Sequence, residues 1–465
     1  MMKVEDKTMQ SVLCLPYADK VLDEALGRGG DYAEIFVENT TVHSLELQDQ
    51  LVSQTQQSLI YGAGIRVLKD ACTGYAYTMD LSLPAMLNAA RFAATVGNGA
   101  CRPAAYPLPQ VVEMRLLEDN VSIELVKKRL LQLDEEVRNM DVRIIRVKAA
   151  ISTRNQQVMF VNSQGISFTD YRPRTSVFLR VVMEQNGQTQ MGFATLSLQK
   201  EFHLLPKETL TDLARTAVSR TAFLFDAVQP EGGEMPVVMA PGASGILMHE
   251  AIGHAFEADF NRVGTSIFAG RMGQQICKPE VTIVDDGTLA EDVGCLRWDD
   301  EGIAGQRTVL VDKGVLNSYM HDRISARHYG VEPTGNGRRE SFRHAPLPRM
   351  RSTYMMAGEH NPEDIIRSVK KGIYAQVFTN GQVQIGAGDF TFYMKQGYLI
   401  EDGHLTRPIR DINVIGNGPC ALADISMVGN DLLIDHSASM CGKGGQSVPV
   451  SQGLPTVLVD KLVVG

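Results

Sequence analysis

The chain has 465 residues, of which 44% are hydrophobic and 21% are charged, a composition ordinary for a soluble globular protein. Its net charge of −9 argues against direct binding of nucleic acid, because such proteins normally present a basic face. No apolar run approaches the length of a membrane span, and the N-terminal residues lack a signal-peptide layout. Seven scattered cysteines also fit a reducing compartment, so we expect a cytoplasmic protein without a membrane segment.

The length exceeds what one hydrophobic core normally supports, so we predict two domains, residues 1–228 and 229–465. In the first, β-type apolar spacing predicts strands at 31–38, 42–47, 59–68 and 74–78. A helix should begin near Pro84, a linker is indicated by three prolines at 102–110, and a helix capped by Ser122 should follow. Alternation then predicts a β-meander over 142–193 with turns at 162–165 and 186–187, and Pro206 begins another helix.

The second domain should be richer in strands. A short strand at 236–239 leads into a helix, and four further strands, each followed by a glycine turn, are predicted at 281–284, 308–311, 374–378 and 398–400, with a short helix at 362–369. The expected fold class is α+β. It comprises an N-terminal α/β-type domain with antiparallel strands and helices, and a C-terminal, mainly antiparallel β domain that carries the motif helix.

That helix lies in 242–260, GASGILMHEAIGHAFEADF, and contains His249, Glu250 and His254. Two imidazoles and a carboxylate this close suggest a metal site with its own general base. In the H-E-x-x-H motif the histidines lie four apart, roughly 40° around a helix, whereas five apart they would diverge by roughly 140°. A metal site therefore requires a widened or kinked helix, such as a π-bulge, and Gly253 is a weak point. The alternative is a buried helix whose histidines are hydrogen-bonded core residues.

A catalytic zinc site needs three protein ligands and an open position. Glu257 follows His254 at a same-face spacing, but a helical carboxylate is more often solvated, and Asp259 has the same weakness. Cys441 lies in a glycine-rich stretch in which Lys443 could hold the sulfur as thiolate. A buried thiol in a turn is the alternative for Cys441. These residues alone leave the third ligand open.

Three further features are candidates for chemistry. Glu250 is placed to act as a general base, the alternative being a surface glutamate. The stretch 335–344, GNGRRESFRH, is suited to holding a substrate carboxylate, but such loops are more often structural, with arginines paired to acidic neighbours. A nucleophile pair of Cys441 and His436 is conceivable, although their spacing proves nothing about geometry.

HEAIGHAFEADF, with GNGRRES, QVQIGAGDF, DISMVGNDL and MCGKGGQSVPV downstream, resembles the TldD/PmbA family in order and spacing. The stretches DYAEIFVE and GAGIRVLKDACTGYAYT extend the resemblance over nearly the full chain. Within the family the chain is similar to the TldD branch. The sister branch, TldE or PmbA, lacks the H-E-x-x-x-H motif, which is intact in this chain.

The resemblance implies a zinc-dependent peptidase for unfolded or small peptides, with one zinc ion per chain and metal-activated water as the nucleophile. The family's metal ligands fall on His249, His254 and Cys441, and its catalytic glutamate falls on Glu250, which moves Glu257 to an outer position. Substrate-binding residues are not identified. Family members commonly form a TldD–TldE heterodimer, and a homodimer is the other option. The competing hypotheses are a non-catalytic regulatory or binding protein with a structural zinc, and a gyrase-binding protein.

Overall fold

The computed structural model describes residues 12–97, 113–115 and 122–465, and it has the expected α+β architecture. The proline-rich linker expected at 102–110 lies outside the described residues. None of the helices in the described ranges combines the length and the apolar character that a membrane span requires.

The described strands before residue 229 are β1 (Val12–Cys14), β2 (Tyr32–Gln48), β3 (Leu51–Lys69), β4 (Cys72–Thr78), β5 (Glu113–Arg115), β6 (Ile144–Asn162), β7 (Ser167–Gln185) and β8 (Gln188–Leu198). Six of them form one antiparallel sheet in the order β4-β3-β2-β6-β7-β8, while β1 pairs with β5. The predicted meander and its turn at Asn186-Gly187 are confirmed, because β7 and β8 pair up to Gln185 opposite Gln188.

Four α-helices cover one face of this sheet: α1 (Ala18–Leu26), α2 (Leu83–Ala93), α3 (Ile123–Met140) and α4 (Lys207–Asp226). The first two pack on one end of the sheet and the last two on the other. The hydroxyl of Ser122 accepts a hydrogen bond from the backbone N–H of Leu125, so the predicted cap of α3 is confirmed. On β2, Ile35 faces the helices and the adjacent Glu34 and Phe36 face the second half of the chain, as strand alternation requires.

The strands after residue 229 are β9 (Gly233–Met239), β10 (Ile283–Asp286), β11 (Arg307–Asp312), β12 (Val315–Leu316), β13 (Gly337–Arg338), β14 (Leu347–Pro348), β15 (Ser352–Met355), β16 (Lys371–Val383), β17 (Asp389–Glu401), β18 (His404–Ile409), β19 (Ile412–Asn417), β20 (Ile425–Val428), β21 (Leu433–Lys443), β22 (Gln446–Leu454) and β23 (Val457–Val464). Most pairings are antiparallel; β9–β16 and β15–β22 are parallel. One sheet has the order β12-β11-β10-β15-β22-β21, which leaves β21 at an edge. In the other, pairing of β16 with β17 closes the path β16-β9-β23-β19-β17 into a ring.

Short α-helices connect these strands: α5 (Ala258–Arg262), α6 (Arg323–Tyr329), α7 (Pro362–Arg367) and α8 (Gly418–Ala423). The turn expected at Asn380-Gly381 is wrong. Both residues lie inside β16, opposite Tyr393 and Phe392 of β17, and the register shifts of this strand pair occur between Ala375 and Asn380.

Buried ion pairs join the two halves of the chain. Arg66 pairs with Glu301, Arg172 with Asp300, and Arg339 with Glu34. A buried charge is tolerated only when it is paired and hydrogen-bonded, so these contacts specify how the halves meet. The predicted division between residues 228 and 229 falls between α4 and β9 and stays a prediction.

Candidate metal centre

Between β9 and α5 the chain forms a π-helix over Leu247–Gly253, followed by a 3₁₀ turn over His254–Phe256. The backbone N–H of His254 donates to the carbonyl of His249, which is the i to i+5 bond that defines a π-helix. Residues five apart therefore lie on one side of this helix, and the two imidazole centroids are 5.0 Å apart. The widened helix predicted from the histidine spacing is confirmed.

Gly253 contributes space here rather than backbone freedom. Its φ of −58° is helical, but a Cβ atom at this position would lie 2.2 Å from Met350 Sδ and 2.8 Å from the carbonyl oxygen of Met248. A side chain at residue 253 would therefore clash with Met350 and with the backbone of the π-helix itself.

Cys441 reaches the two histidines from β21. Ligand atoms of His249, His254 and Cys441 all lie within 4.8 Å of one another, and Cys441 Sγ is 3.4 Å from His254 Nε2. All three residues are buried. The structure therefore brings together the three residues that the resemblance implies as ligands.

The glycine-rich stretch around Cys441 forms a β-hairpin. Cys441 is in a strand, paired with Val448, and the glycines beyond it, Gly444 and Gly445, form a two-residue hairpin turn with positive φ at both positions. The buried Arg349 donates to the carbonyl oxygen of Cys441. The position of the sulfur is thus set by the β21–β22 pairing and by Arg349, and no pattern in the sequence indicated the arginine.

The electrostatics of the cluster favour a thiolate. Burial alone would raise the pKa of Cys441, but hydrogen bonds and charges from His249 and His254 lower it to about 5. Burial alone would lower the pKa of His254, but the Glu257 carboxylate and Cys441 raise it to about 10. Without a bound metal, therefore, we expect a thiolate beside an imidazolium at neutral pH.

Glu257 and Asp259 lie outside the cluster of ligand atoms. Glu257 Oε2 is 2.9 Å from His254 Nδ1 and 3.1 Å from Lys443 Nζ. The Lys443 ammonium also lies 2.7 Å from Asp259 Oδ1. Lys443 is therefore bound to two carboxylates, and the expectation that it holds the sulfur as thiolate is wrong, since the imidazoles do so. Glu257 instead orients the imidazole ring of His254 through the hydrogen bond to Nδ1, a role that the sequence did not indicate.

Glu250, half-buried, faces a cavity of about 620 Å³ that it lines together with His249. One wall comes from β8 and α4 of the first half of the chain, and the others come from β16, β17, β21 and β22. Polar residues line this cavity, including Arg220, Tyr393 and Lys395. A single sequence carries no signal for such lining residues, because they come from distant elements.

The remaining candidates do not join this centre. His436 Nδ1 is 3.5 Å from Asp292 Oδ2, whereas the imidazole hydrogen-bonded to Cys441 is that of His254, so the geometry does not support the nucleophile pair. In 335–344, Arg339 pairs with Glu34, and Arg338 donates to the carbonyl oxygens of Met350 and Pro449. These contacts favour the structural interpretation of the loop.

The donor set fits a zinc ion. Two imidazoles and a thiolate are ligands that zinc prefers. His249 Nδ1 is buried and has no hydrogen-bond partner among the described residues. An unsatisfied buried polar atom costs free energy, and a bond from this nitrogen to a metal ion or to a water molecule would remove that cost. His254 donates through Nδ1 to Glu257 when neutral, which leaves its Nε2 lone pair directed towards Cys441.

Family models described as PmbA/TldA metallopeptidase match three consecutive parts of the chain: domain 1 at residues 33–96, the central domain at 117–222 and the C-terminal domain at 232–465. The chain belongs to this family of PmbA/TldD metallopeptidases, as the sequence blocks predicted. The candidate centre lies within the part that matches the C-terminal domain.

Relatives in the family are named as metalloproteases. The chain is 36% identical to the metalloprotease TldD homolog of Haemophilus influenzae over 96% of this chain and 95% of the relative. It is also 36% identical to the zinc metalloprotease TldD homolog of Saccharolobus solfataricus, over 51% of this chain and 52% of that protein. These names support a metallopeptidase with a metal cofactor.

Solved structures share the fold at low sequence identity. TldE from Thermococcus kodakarensis superposes with a TM-score of 0.73 at 19% identity, covering 96% of this chain and 99% of that one. A protein of Thermotoga maritima, described as a proposed modulator of a DNA gyrase, superposes with a TM-score of 0.76 at 22% identity, covering 97% and 99%. Both confirm the α+β architecture over nearly the whole chain.

Proposed function

We propose that this protein is a zinc-dependent peptidase that hydrolyses unfolded or small peptides, with one zinc ion per chain. The observation that carries the proposal is the convergence of His249, His254 and Cys441 beside Glu250, at the edge of a cavity between the two halves of the chain. Perturbed titratable groups next to a cavity are typical of catalytic sites.

In this proposal His249, His254 and Cys441 hold the ion, and Glu257 orients His254 from outside the ligand set. When bound, zinc would act as a Lewis acid and would lower the pKa of a water molecule. Glu250 would be the general base that takes a proton from the attacking water and later returns it to the leaving amine. Its half-buried position on the cavity wall supports this role, because a base must reach both the water and the substrate.

The cavity supports a peptide substrate of extended shape. Strand β21 carries Cys441, lines the cavity and lies at the edge of its sheet. An extended peptide could add to such an edge through main-chain hydrogen bonds, which give affinity with little side-chain specificity. Peptides with N-methylated amides should then be cleaved much more slowly, and equal rates would exclude this mode of binding.

The other candidate is a non-catalytic binding or regulatory protein with a structural zinc. Structural zinc is normally closed by four protein ligands, whereas a catalytic ion keeps one position open. In the described residues the cluster offers three His or Cys side chains as ligands and adjoins a cavity, which favours catalysis. We further propose that the protein acts in the cytoplasm, where Cys441 would stay reduced, without contacting nucleic acid or membrane. Its partner would be a TldE/PmbA-like subunit or a second copy, a proposal that the likeness to a TldE structure supports.

The deciding experiment combines metal analysis with peptide cleavage. Zinc-loaded wild type should cleave an unfolded peptide, and Glu250→Gln should bind the same amount of zinc without cleaving. A Glu250→Gln protein with full activity would show that the base assignment is wrong. Wild type that binds zinc tightly but cleaves no peptide, alone or with a TldE-like subunit, would favour the structural-zinc alternative.

A further inference from the structure

A second cavity, of about 170 Å³, lies where β7 of the first half of the chain meets β22 of the second. Its lining includes five arginines: Arg154, Arg172, Arg174, Arg338 and Arg339. Met440 lines this cavity and also the 620 Å³ cavity that contains Glu250, so the two cavities adjoin. The smaller cavity is therefore lined by cationic groups and shares one wall residue with the proposed substrate site.

Protein groups hold four of these five arginines in place. The acceptors are Glu38 for Arg154, Asp300 for Arg172, two backbone carbonyls for Arg338, and Glu34 for Arg339. Each of these guanidinium groups thus donates to at least one acceptor of the protein.

Arg174 differs from the other four. Its Nη1 atom lies 3.9 Å from Met440 Sδ, and no carboxylate within the described ranges lies at ion-pair distance from it. It stands directly opposite Arg154 in the pairing of β6 with β7, a placement of like charges that destabilises a sheet. Burial and the charge of Arg154 lower the pKa of Arg174 to about 10, so it remains a cation at neutral pH. Its charge lacks the compensation that Glu38 gives to Arg154.

The other polar residues of the cavity differ in whether their hydrogen-bonding atoms already have a partner in the protein. Gln199 Oε1 is buried without a hydrogen-bond partner in the part of the chain that the structure describes. Because its amide can be turned, Gln199 can present a donor as well as an acceptor. The two acidic residues of the lining are engaged, Asp300 by Arg172 and Glu340 by the backbone N–H of Ser447.

We propose that Arg174 binds a carboxylate of the peptide substrate and so sets a preference for peptides that place an acidic group in this cavity. This inference rests on the proposed peptidase function. The planar guanidinium matches a carboxylate with two parallel hydrogen bonds, and such an anion would balance the opposed charges of Arg154 and Arg174. The carboxylate could be the C-terminus of the peptide or an aspartate or glutamate side chain.

Calorimetric titration of the full-length chain in a Glu250→Gln background tests the proposal without requiring cleavage. Three ten-residue peptides suffice: one without acidic residues and with a free C-terminus, its C-terminal amide, and that amide with one internal glutamine replaced by glutamate. At least one carboxylate-bearing peptide should bind about tenfold more tightly than the neutral amide, as a charge-assisted hydrogen bond predicts. Whichever carboxylate-bearing peptide binds more tightly than the neutral amide shows whether the C-terminus or the glutamate side chain supplies the carboxylate.

When Arg174→Met is added to the Glu250→Gln protein, the carboxylate-bearing peptide and the neutral amide should bind with nearly equal affinity. Arg174→Lys keeps the charge but not the planar guanidinium, so it should retain part of the preference for the carboxylate-bearing peptide. The matched control is Arg215→Met, since Arg215 is an exposed arginine of α4 paired with Asp212, and it should keep the full preference. Unfolding temperatures verify that each variant folds. The ratio of kcat/KM between the same peptides should change in parallel in proteins that retain Glu250.

A preference that survives Arg174→Met would overturn the proposal, and so would equal binding of all three peptides by the protein with Arg174 intact. If zinc-loaded wild type cleaves none of the peptides, but binding still depends on Arg174 and a carboxylate, the peptidase function fails while this binding site stands.

Discussion

Glu257 Oε2 lies 2.9 Å from His254 Nδ1, and both residues are buried, so the carboxylate holds the imidazole from the side opposite Cys441. Carboxylates that orient a ligating histidine typically change metal affinity by about 10- to 100-fold when they are removed. Glu257→Gln should therefore raise the Kd for zinc by about that factor, measured by competition with a chelator. The control is Glu234→Gln, because Glu234 is an exposed residue of β9 that pairs with Lys461 of β23. Unchanged affinity in Glu257→Gln would mean that the ring does not depend on this bond.

Glu250→Gln separates chemistry from metal binding. The amide cannot accept the proton, and loss of a general base costs about 10²- to 10⁴-fold in rate. We therefore expect kcat to fall by that factor while the zinc content stays at one ion per chain. The measurements are steady-state cleavage and metal analysis of the same sample. A loss of zinc together with activity would instead assign Glu250 a part in holding the ion.

Cys441→Ser should remove most of the bound zinc, because a hydroxyl does not ionise at neutral pH and is a poor ligand. Cys420→Ser is the matched control, since Cys420 is exposed in α8 and should have no effect. Zinc content after dialysis is the readout. If Cys441→Ser keeps its zinc, a carboxylate such as Glu257 must supply the third bond.

Asp322→Asn should stabilise the protein at neutral pH. Burial and the charge of Glu301 raise the pKa of Asp322 to about 6, against about 3.9 in an unfolded chain. An acid whose pKa is higher in the folded state than in the unfolded state destabilises the fold when it is ionised. The destabilisation grows as the pH rises from about 4 to about 6 and is fully present above that range. The gain should be at most about 3 kcal/mol at pH 7.5 and should shrink at pH 5.

Asparagine preserves the cap that Asp322 provides to the backbone N–H of Ser325, so the helix α6 should remain intact. The measurement is the unfolding temperature at the two pH values. Asp212→Asn, at an exposed position of α4, should show no comparable difference. If Asp322→Asn stabilises the protein as much at pH 5 as at pH 7.5, ionisation of the buried carboxyl is not the source of the gain.

Arg339→Met should destabilise the junction between the two halves. Arg339 and Glu34 are both fully buried, and removal of one partner leaves an uncompensated charge at a cost of about 3 kcal/mol or more. In contrast, Arg174→Met, in the same cavity, should not lower the unfolding temperature, because it relieves the opposition to Arg154. Equal losses in the two variants would show that Arg174 has a structural partner.

Local patterns were sufficient for much of the first half of the chain. The helix after Ser122, the meander and the turn at Asn186-Gly187 each depend on residues close in sequence, and all three are present. The turn expected at Asn380-Gly381 does not form because β16 pairs with β17 on both sides of these two residues, and that pairing outweighs a two-residue preference. The role expected for Lys443 failed because the two carboxylates that bind it, Glu257 and Asp259, lie far away in sequence.

The spacing of His249 and His254 was enough to predict that a metal site there requires a widened helix, because five residues of spacing cannot bring two side chains together on a regular α-helix. The residues alone left the third ligand open among Glu257, Asp259 and Cys441. The three-dimensional packing shows which of these side chains brings a ligand atom close to both histidines, and it is Cys441. Cys441 is 187 residues from His254, and its approach depends on the parallel pairing of β15 with β22 and the register of β21 against β22, which local periodicity does not encode.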